Sequence, residues 1–157
     1  MTNLGEKLAL EIFEKLKSGI AKTLIDGELI NHLNEHSKRY LYDMKLIMIE
    51  DENGFHLVSM RGIGSSYHSI IAMIYMLEFE KSEITIFGGG NIGFEENEFK
   101  ISGKSGSYDS MEKEKVDSIM KNLNVKFRMP YSSPYPRKGS KYSYEDVEKE
   151  VHNVLSD

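Results

Sequence analysis

The chain has 157 residues, of which 39% are hydrophobic and 29% are charged, and it carries a net charge of −5 without any cysteine. This balance is typical of one folded domain, and it argues against general disorder, disulfide bonds and thiolate metal sites. The negative charge disfavours nonspecific nucleic-acid binding, and no apolar run reaches the roughly 20 residues that a bilayer span needs. The first residues match neither a signal peptide nor a transit peptide, so we expect a cytoplasmic location. We also expect a monomer without nucleic-acid or membrane partners.

Residues 1–42 predict an N-terminal helical extension. Leucine or isoleucine recurs every four residues from Leu4 to Leu16, and this spacing predicts an amphipathic helix over residues 4–18. Residues 26–40 are compatible with a second, weaker helix and also with a loop, and the pattern leaves both open.

Residues 43–129 interleave short apolar runs with amphipathic stretches, and they form the predicted core of the protein. The apolar runs predict strands at 44–49, 55–60, 83–87, 99–102 and 125–129. The amphipathic stretches predict helices at 67–78 and 112–123. This alternation predicts an α/β fold in which helices flank a mixed β-sheet.

Residues 130–157 predict a linker rich in proline and tyrosine, followed by a C-terminal helix. All three prolines lie between residues 130 and 141, and the helix is predicted over residues 144–155. We therefore expect a single domain, 1–157, with added helices at both ends. The added segments either pack on the sheet and cover an edge or dock another protein through their tyrosines, Tyr131, Tyr135, Tyr142 and Tyr144.

Two glycine-containing motifs match nucleotide-binding signatures only in part. Gly88 to Gly93 has the spacing of the dinucleotide fingerprint, but that fingerprint needs a helix to begin there, and here an acidic turn and a strand follow. Gly103-Lys104-Ser105 resembles the end of a P-loop, but Glu98 stands where the first glycine belongs. We therefore predict no nucleotide cofactor.

The histidines do not form a recognisable metal motif. His32 and His36 are four residues apart, but they lack the glutamate that follows the first histidine of a zinc protease motif, so a solvated helix face is the simpler interpretation. His56, in a predicted strand, and His152, in the C-terminal helix, are predicted to be surface residues. We therefore predict no metal site.

His68 is the candidate catalytic side chain. It lies in the first turn of a predicted helix, just after the loop from Arg61 to Tyr67. The positive end of a helix disfavours the imidazolium form, and its free N–H groups favour an anion nearby. A neutral imidazole beside an anion acts as a nucleophile or a general base on a phosphoryl group. A histidine that only hydrogen-bonds its own loop is the common alternative at such a position.

The segment from Gly103 to Tyr108 is the candidate anion-binding loop. Small residues after a strand allow consecutive backbone N–H groups to turn towards one point, and two serine hydroxyls add donors. Lys45 and Arg61 are the candidates for local positive charge. A surface turn and two solvated charges are the alternative interpretation of the same residues.

The order of these motifs along the chain resembles the phosphohistidine phosphatase (Janus/Ocnus) family. That family has a lysine that opens a strand, an Arg-Gly pair followed by Tyr-His, a triple glycine and a Gly-x-Ser-x-x-Tyr stretch. The matching residues here are Lys45, Arg61-Gly62, Tyr67-His68, Gly88-Gly89-Gly90 and Gly103 to Tyr108. The resemblance covers roughly residues 43–129.

The resemblance implies metal-independent hydrolysis of phosphohistidine on a phosphorylated protein, with His68 as the catalytic residue. It implies that phosphate is bound by Lys45, Arg61, Ser105, Gly106 and Ser107. It implies supporting roles for Tyr67, Gly88, Gly89, Gly90, Asn91, Gly103 and Tyr108. An arginine is common directly after the triple glycine, and Asn91 stands there in this chain. The alternative is therefore a module that binds a phosphorylated or acidic partner without turnover.

Overall fold

The computed structural model describes residues 3–36, 43–63, 67–102, 108, 110–131 and 138–155. Within these ranges the helices are α1 (Asn3–Lys17), α2 (Gly27–His36), α3 (His68–Glu78), α4 (Lys113–Asn122) and α5 (Tyr144–Leu155). The strands are β1 (Lys22–Ile25), β2 (Asp43–Asp51), β3 (Gly54–Arg61), β4 (Glu83–Glu95), β5 (Glu98–Ser102), β6 (Phe127–Tyr131) and β7 (Ser140–Ser143). The predicted α/β class is confirmed.

The strands form one mixed sheet in the order β1-β3-β2-β4-β5-β6, and β7 pairs with β4. All of these pairs are antiparallel except β5 with β6. The triple glycine lies inside β4, where Gly88 pairs with Met48 and Gly90 pairs with Leu46. No helix begins at these glycines, because β4 continues through them to Glu95.

Helices cover both faces of the sheet. On one face, the buried side chains of α1, α3 and α5 pack with Ile47 and Ile49 of β2. On the other face, those of α2 and α4 pack with Leu46 and Met48 of the same strand. Side chains alternate between the two faces along a strand, so a run of apolar residues in β2 contributes to both layers. Helix α3 is buried from His68 through Met76, because it lies between the sheet and the other two helices.

Both added segments contribute strands as well as helices. The sequence pattern indicates helices there, and the structure adds β1, which pairs with β3, and β7, which pairs with β4. Each has only four residues, which is too short for alternation to distinguish it from a loop. Of the stretch left open at 26–40, residues 27–36 form α2, and residues 37–40 lie outside the described residues. No helix in the described part of the chain is long and apolar enough to cross a membrane.

Candidate functional site

His68 begins α3 and is only 4% exposed. Its ring atom Nε2 lies 2.9 Å from the carbonyl oxygen of Gly90. A carbonyl oxygen only accepts hydrogen bonds, so Nε2 carries the hydrogen and donates it. In the neutral ring this leaves Nδ1 with an unshared electron pair. The hydrogen bond therefore decides which nitrogen of the neutral ring keeps an electron pair.

The surroundings of His68 favour its neutral form. Burial lowers the pKa of His68 from its ordinary value of 6.5, and the positive charge of Lys45 lowers the pKa further. The hydrogen bond to Gly90 acts in the opposite direction, but the net shift is downward. A pKa below its ordinary value leaves the ring mainly uncharged at neutral pH.

Lys45, Asn91 and Ser102 form a row across three strands next to α3. Lys45 pairs with Asn91, and Asn91 pairs with Ser102. Directly paired residues on antiparallel strands project to the same face with Cβ atoms about 5 Å apart. Lys45 shares its face with Ile47 and therefore with α3. The row thus brings one cation and two polar side chains to the side of the sheet where His68 lies.

Gly90 brings two strands unusually close together beside His68. A Cβ atom on Gly90 would lie 1.9 Å from the carbonyl oxygen of Ser102, so any larger residue would force β4 and β5 apart. The same residue offers its own carbonyl oxygen to the His68 ring. A glycine is therefore required where the strand supports the candidate catalytic residue.

The candidate anion-binding loop is described only at its two ends. Gly103, Ser105, Gly106 and Ser107 lie outside the described residues. Ser102, directly before them, belongs to the row beside Lys45. Tyr108, directly after them, is 7% exposed and is buried in the cluster that contains α3. Both ends of the segment therefore lie on the α3 side of the sheet.

Arg61 lies apart from Lys45. Along β3, Val58 and Met60 are buried against α3, so alternation directs Arg61 to the α2 side. Burial, His36 and then the charge of Arg61 lower the pKa of His32 on α2, which agrees with this placement. Of the two predicted cations, the structure brings Lys45 rather than Arg61 to His68.

Tyr67 and Ser69 flank His68. Tyr67 caps the N-terminus of α3 in an extended conformation and is 42% exposed, so it offers an aromatic surface beside the site. Ser69 is fully buried, and its hydroxyl has no hydrogen-bond partner among the residues that the structure describes. Sequence reasoning missed Ser69. A hydroxyl in the first turn of an otherwise apolar helix was the available signal.

A second histidine cluster lies at the end of the β2–β3 hairpin. The two ring nitrogens of His56 donate to carboxylates, Nδ1 to Asp26 at 2.7 Å and Nε2 to Asp51 at 2.8 Å. An imidazole that donates from both nitrogens is the charged form. Burial lowers the pKa of His56, but the bonds and charges of the two carboxylates outweigh it, and the net shift is upward. The ring is half-buried between two elements, whereas the sequence predicted a surface residue.

The described residues contain no group of three histidine, aspartate or glutamate side chains arranged to hold a metal ion. His32 and His36 stack with their ring centroids 4.2 Å apart, and His36 Nδ1 donates to the carbonyl oxygen of His32. These contacts are those of neighbouring residues on one helix turn.

No protein-family model, no curated protein and no solved structure matches this chain.

Proposed function

We propose that this protein hydrolyses the P–N bond of phosphohistidine on a phosphorylated protein, and that His68 is its catalytic residue. The main observation in support is the bond from His68 Nε2 to Gly90, which leaves Nδ1 unprotonated when the ring is neutral. Burial and the charge of Lys45 favour that neutral ring. The motif order that resembles the phosphohistidine phosphatase family points to the same residue and to a fold of that kind.

The reaction has two possible first steps that use the same atom. In one, the Nδ1 electron pair of His68 forms a bond to phosphorus while the substrate P–N bond breaks, and the leaving nitrogen takes a proton from water. A second water then attacks the phosphorylated His68 and releases phosphate. In the other, Nδ1 takes a proton from a water molecule while that water attacks phosphorus. The substrate P–N bond then breaks, and the leaving nitrogen takes up the proton from Nδ1. Both require His68 to be uncharged before the reaction.

Binding of the phosphoryl group is assigned to the loop and to Lys45. In the proposal, backbone N–H groups of Ser105, Gly106 and Ser107 hold the oxygens, because consecutive amides form a nest for an anion. Lys45 supplies positive charge from β2, the strand that pairs with β4. Its side chain lies on the same face of the sheet as His68. Positioning and fixed charge carry most of the catalysis in phosphoryl transfer, and a phosphoramidate has a labile bond.

Asn91 favours a second candidate function. It pairs with Lys45, so an arginine there would lie directly beside the proposed phosphoryl group. Asparagine has neither the charge nor the two-pronged donor geometry of a guanidinium group, and loss of such a group costs roughly 3 kcal/mol of transition-state stabilisation. The alternative is therefore a protein that binds a phosphorylated partner at the same site without releasing phosphate.

The test is phosphate release from phosphoramidate and from a histidine-phosphorylated protein, measured with and without EDTA. We expect release that EDTA does not change and that His68→Ala abolishes, with the fold retained by circular dichroism. His36→Ala serves as the matched control, because His36 is an exposed histidine on another helix. Release that survives His68→Ala would remove this residue from the mechanism, and EDTA-sensitive release would contradict a metal-free site.

Calorimetric titration with inorganic phosphate separates the two candidates. Phosphate binding without phosphate release would support the binding module. Absence of both binding and release would overturn both candidate functions.

A further inference from the structure

Large hydrophobic side chains are exposed mainly at the N-terminal end of the chain. Five such side chains are exposed among the described residues, and three of them lie within residues 10–20. Leu10 is 64% exposed, Phe13 is 53% exposed, and both belong to α1. Residues three apart are neighbours on a helix surface, so the two side chains form one apolar patch. Adjacent apolar side chains that stay in water on a folded domain indicate a contact surface.

The patch is separate from the face by which α1 packs on its own chain. The packed residues of α1 join the cluster that contains α3 and α5, and they are Leu8, Ala9, Ile12 and Leu16. Each residue advances the helix by about 100°, so the patch lies about a third of a turn away from this packed face. The packing of α1 within the chain therefore leaves Leu10 and Phe13 uncovered.

Two opposite charges extend the patch along the helix. Glu6 lies in the first turn of α1 and Lys17 in the last, and both side chains are exposed. Glu6, Leu10, Phe13 and Lys17 follow each other at intervals of four, three and four residues. This alternation keeps side chains on one side of a helix, as at the core positions of a coiled coil. We call these four residues the α1 stripe, which has an acidic end, an apolar middle and a basic end.

The α1 stripe is complementary to itself when two copies run in opposite directions. With a twofold axis midway between Leu10 and Phe13, Leu10 of each copy meets Phe13 of the other, and Glu6 meets Lys17. Parallel copies would instead bring Glu6 against Glu6 and Lys17 against Lys17, and like charges repel each other. Residues 6–17 contain three glutamates and three lysines, so this segment adds no net charge to the contact although the whole chain carries −5.

We propose that the α1 stripe mediates a weak antiparallel homodimer of this chain. A second copy is the favoured partner because its own stripe supplies apolar side chains and opposite charges at the matching positions. A contact through one helix of 15 residues is smaller than the roughly 1,200 Å² that stable interfaces bury, so we expect a dissociation constant of about 10–100 µM. The proposal is independent of the phosphatase function. It differs from the monomer expected from the sequence, because only the structure shows that Leu10 and Phe13 stay exposed.

Sedimentation equilibrium of the full chain, over concentrations that span this constant, measures the association. We expect Phe13→Ser to raise the dissociation constant by about tenfold or more, because it removes the central aromatic contact. Phe79→Ser is the matched control, since Phe79 is an exposed phenylalanine at the end of α3, and it should leave the constant unchanged. Circular dichroism checks that both variants keep the fold. A wild-type protein that stays monomeric, or equal losses in the two variants, would overturn the proposal.

Charge reversal tests the orientation of the two helices. Glu6→Lys and Lys17→Glu each bring like charges together at both ends of the antiparallel pair, so each should weaken association by about fivefold. The double variant Glu6→Lys/Lys17→Glu should restore the wild-type dissociation constant, because it exchanges the charges and keeps their pairing. Association that the single variants weaken and the double variant does not restore would contradict the antiparallel register.

Cysteine cross-linking gives a second readout that suits a weak dimer, because the chain contains no cysteine of its own. An oxidised equimolar mixture of Glu6→Cys and Lys17→Cys should form a disulfide-linked dimer faster than either variant does alone, since a disulfide needs the two positions to lie close together. Faster cross-linking of each variant with itself would show a parallel pair and would exclude the antiparallel one.

Discussion

His56 and His68 have the same side chain, but their electrostatic surroundings are opposite. His56 donates from both ring nitrogens to Asp26 and Asp51, and its pKa is raised. His68 donates from Nε2 alone to a backbone carbonyl group, with Lys45 nearby, and its pKa is lowered. The His56 ring is held by carboxylates of two elements that favour its charged form, whereas the surroundings of His68 favour the neutral form, which keeps an electron pair on Nδ1. The difference teaches that burial and charged partners together set the pKa of a histidine: two carboxylates outweigh burial at His56, whereas burial and a nearby cation dominate at His68.

Substitution by glutamine gives the strongest test of this contrast. His68→Gln still offers an amide N–H to Gly90 but has no basic nitrogen, so we expect phosphate release to fall by about 10³-fold or more. His56→Gln should leave release within about twofold of the wild type. The measurement is kcat/KM on phosphoramidate for both variants. If His56→Gln lost as much activity as His68→Gln, the division of roles would be wrong.

The next largest effect is expected from the cation beside His68. Lys45→Met should weaken the binding of inorganic phosphate by about tenfold, or roughly 1.4 kcal/mol, because it removes a positive charge that acts on His68. Lys100→Met is the control, since Lys100 lies on β5 in a solvated ion pair with Glu95. Titration calorimetry with phosphate measures both. Equal losses in the two variants would assign the effect to overall charge instead.

His56 should contribute to stability rather than to turnover. His56→Gln removes a cation that accompanies two partly buried carboxylates, and we expect the free energy of unfolding to fall by about 1–2 kcal/mol. Urea denaturation of the variant and the wild type measures the difference. An unchanged urea midpoint would show that water stabilises the carboxylates of Asp26 and Asp51 as well as the His56 ring does.

The two histidines should also differ in pH dependence. Because folding raises the pKa of His56, its protonated ring stabilises the folded protein. This contribution is complete below the unfolded-state pKa of 6.5 and is lost as the pH rises through the pKa in the folded protein. The stability cost of His56→Gln should therefore be largest below pH 6.5 and shrink at higher pH. Urea titrations at several pH values measure it, and a cost that grew with pH would contradict the assignment.

Catalysis by His68 should change with pH in the opposite direction to the stability contribution of His56, because it should be lost at low pH. Its folded pKa is lowered, so protonation should abolish release only below pH 6.5, and kcat/KM should rise with pH to a plateau. Lys45→Met should move this acid limb to higher pH, because the nearby positive charge is removed. The pH profile of kcat/KM checks both statements, and a limb that did not move would separate Lys45 from the ring.

Much of the fold was predictable because its signals are local. Helical spacing in α3 and apolar runs in β2 and β3 appear within a few residues, and so does the position of His68 at a helix start. The candidate site was thereby reduced to one histidine, one loop and two cations.

Only the tertiary structure decided which of these groups meet. Strand pairing depends on partners that are distant in sequence, so the short strands β1 and β7 carried no recognisable sequence signal. The row of Lys45, Asn91 and Ser102 likewise depends on how β4 is aligned with β2 and β5, which the sequence does not show. The same pairing placed Arg61 on the α2 side and directed the carbonyl oxygen of Gly90 at His68. A sequence determines which residues can form an element, but the alignment of one strand against another sets the distances on which their chemistry depends.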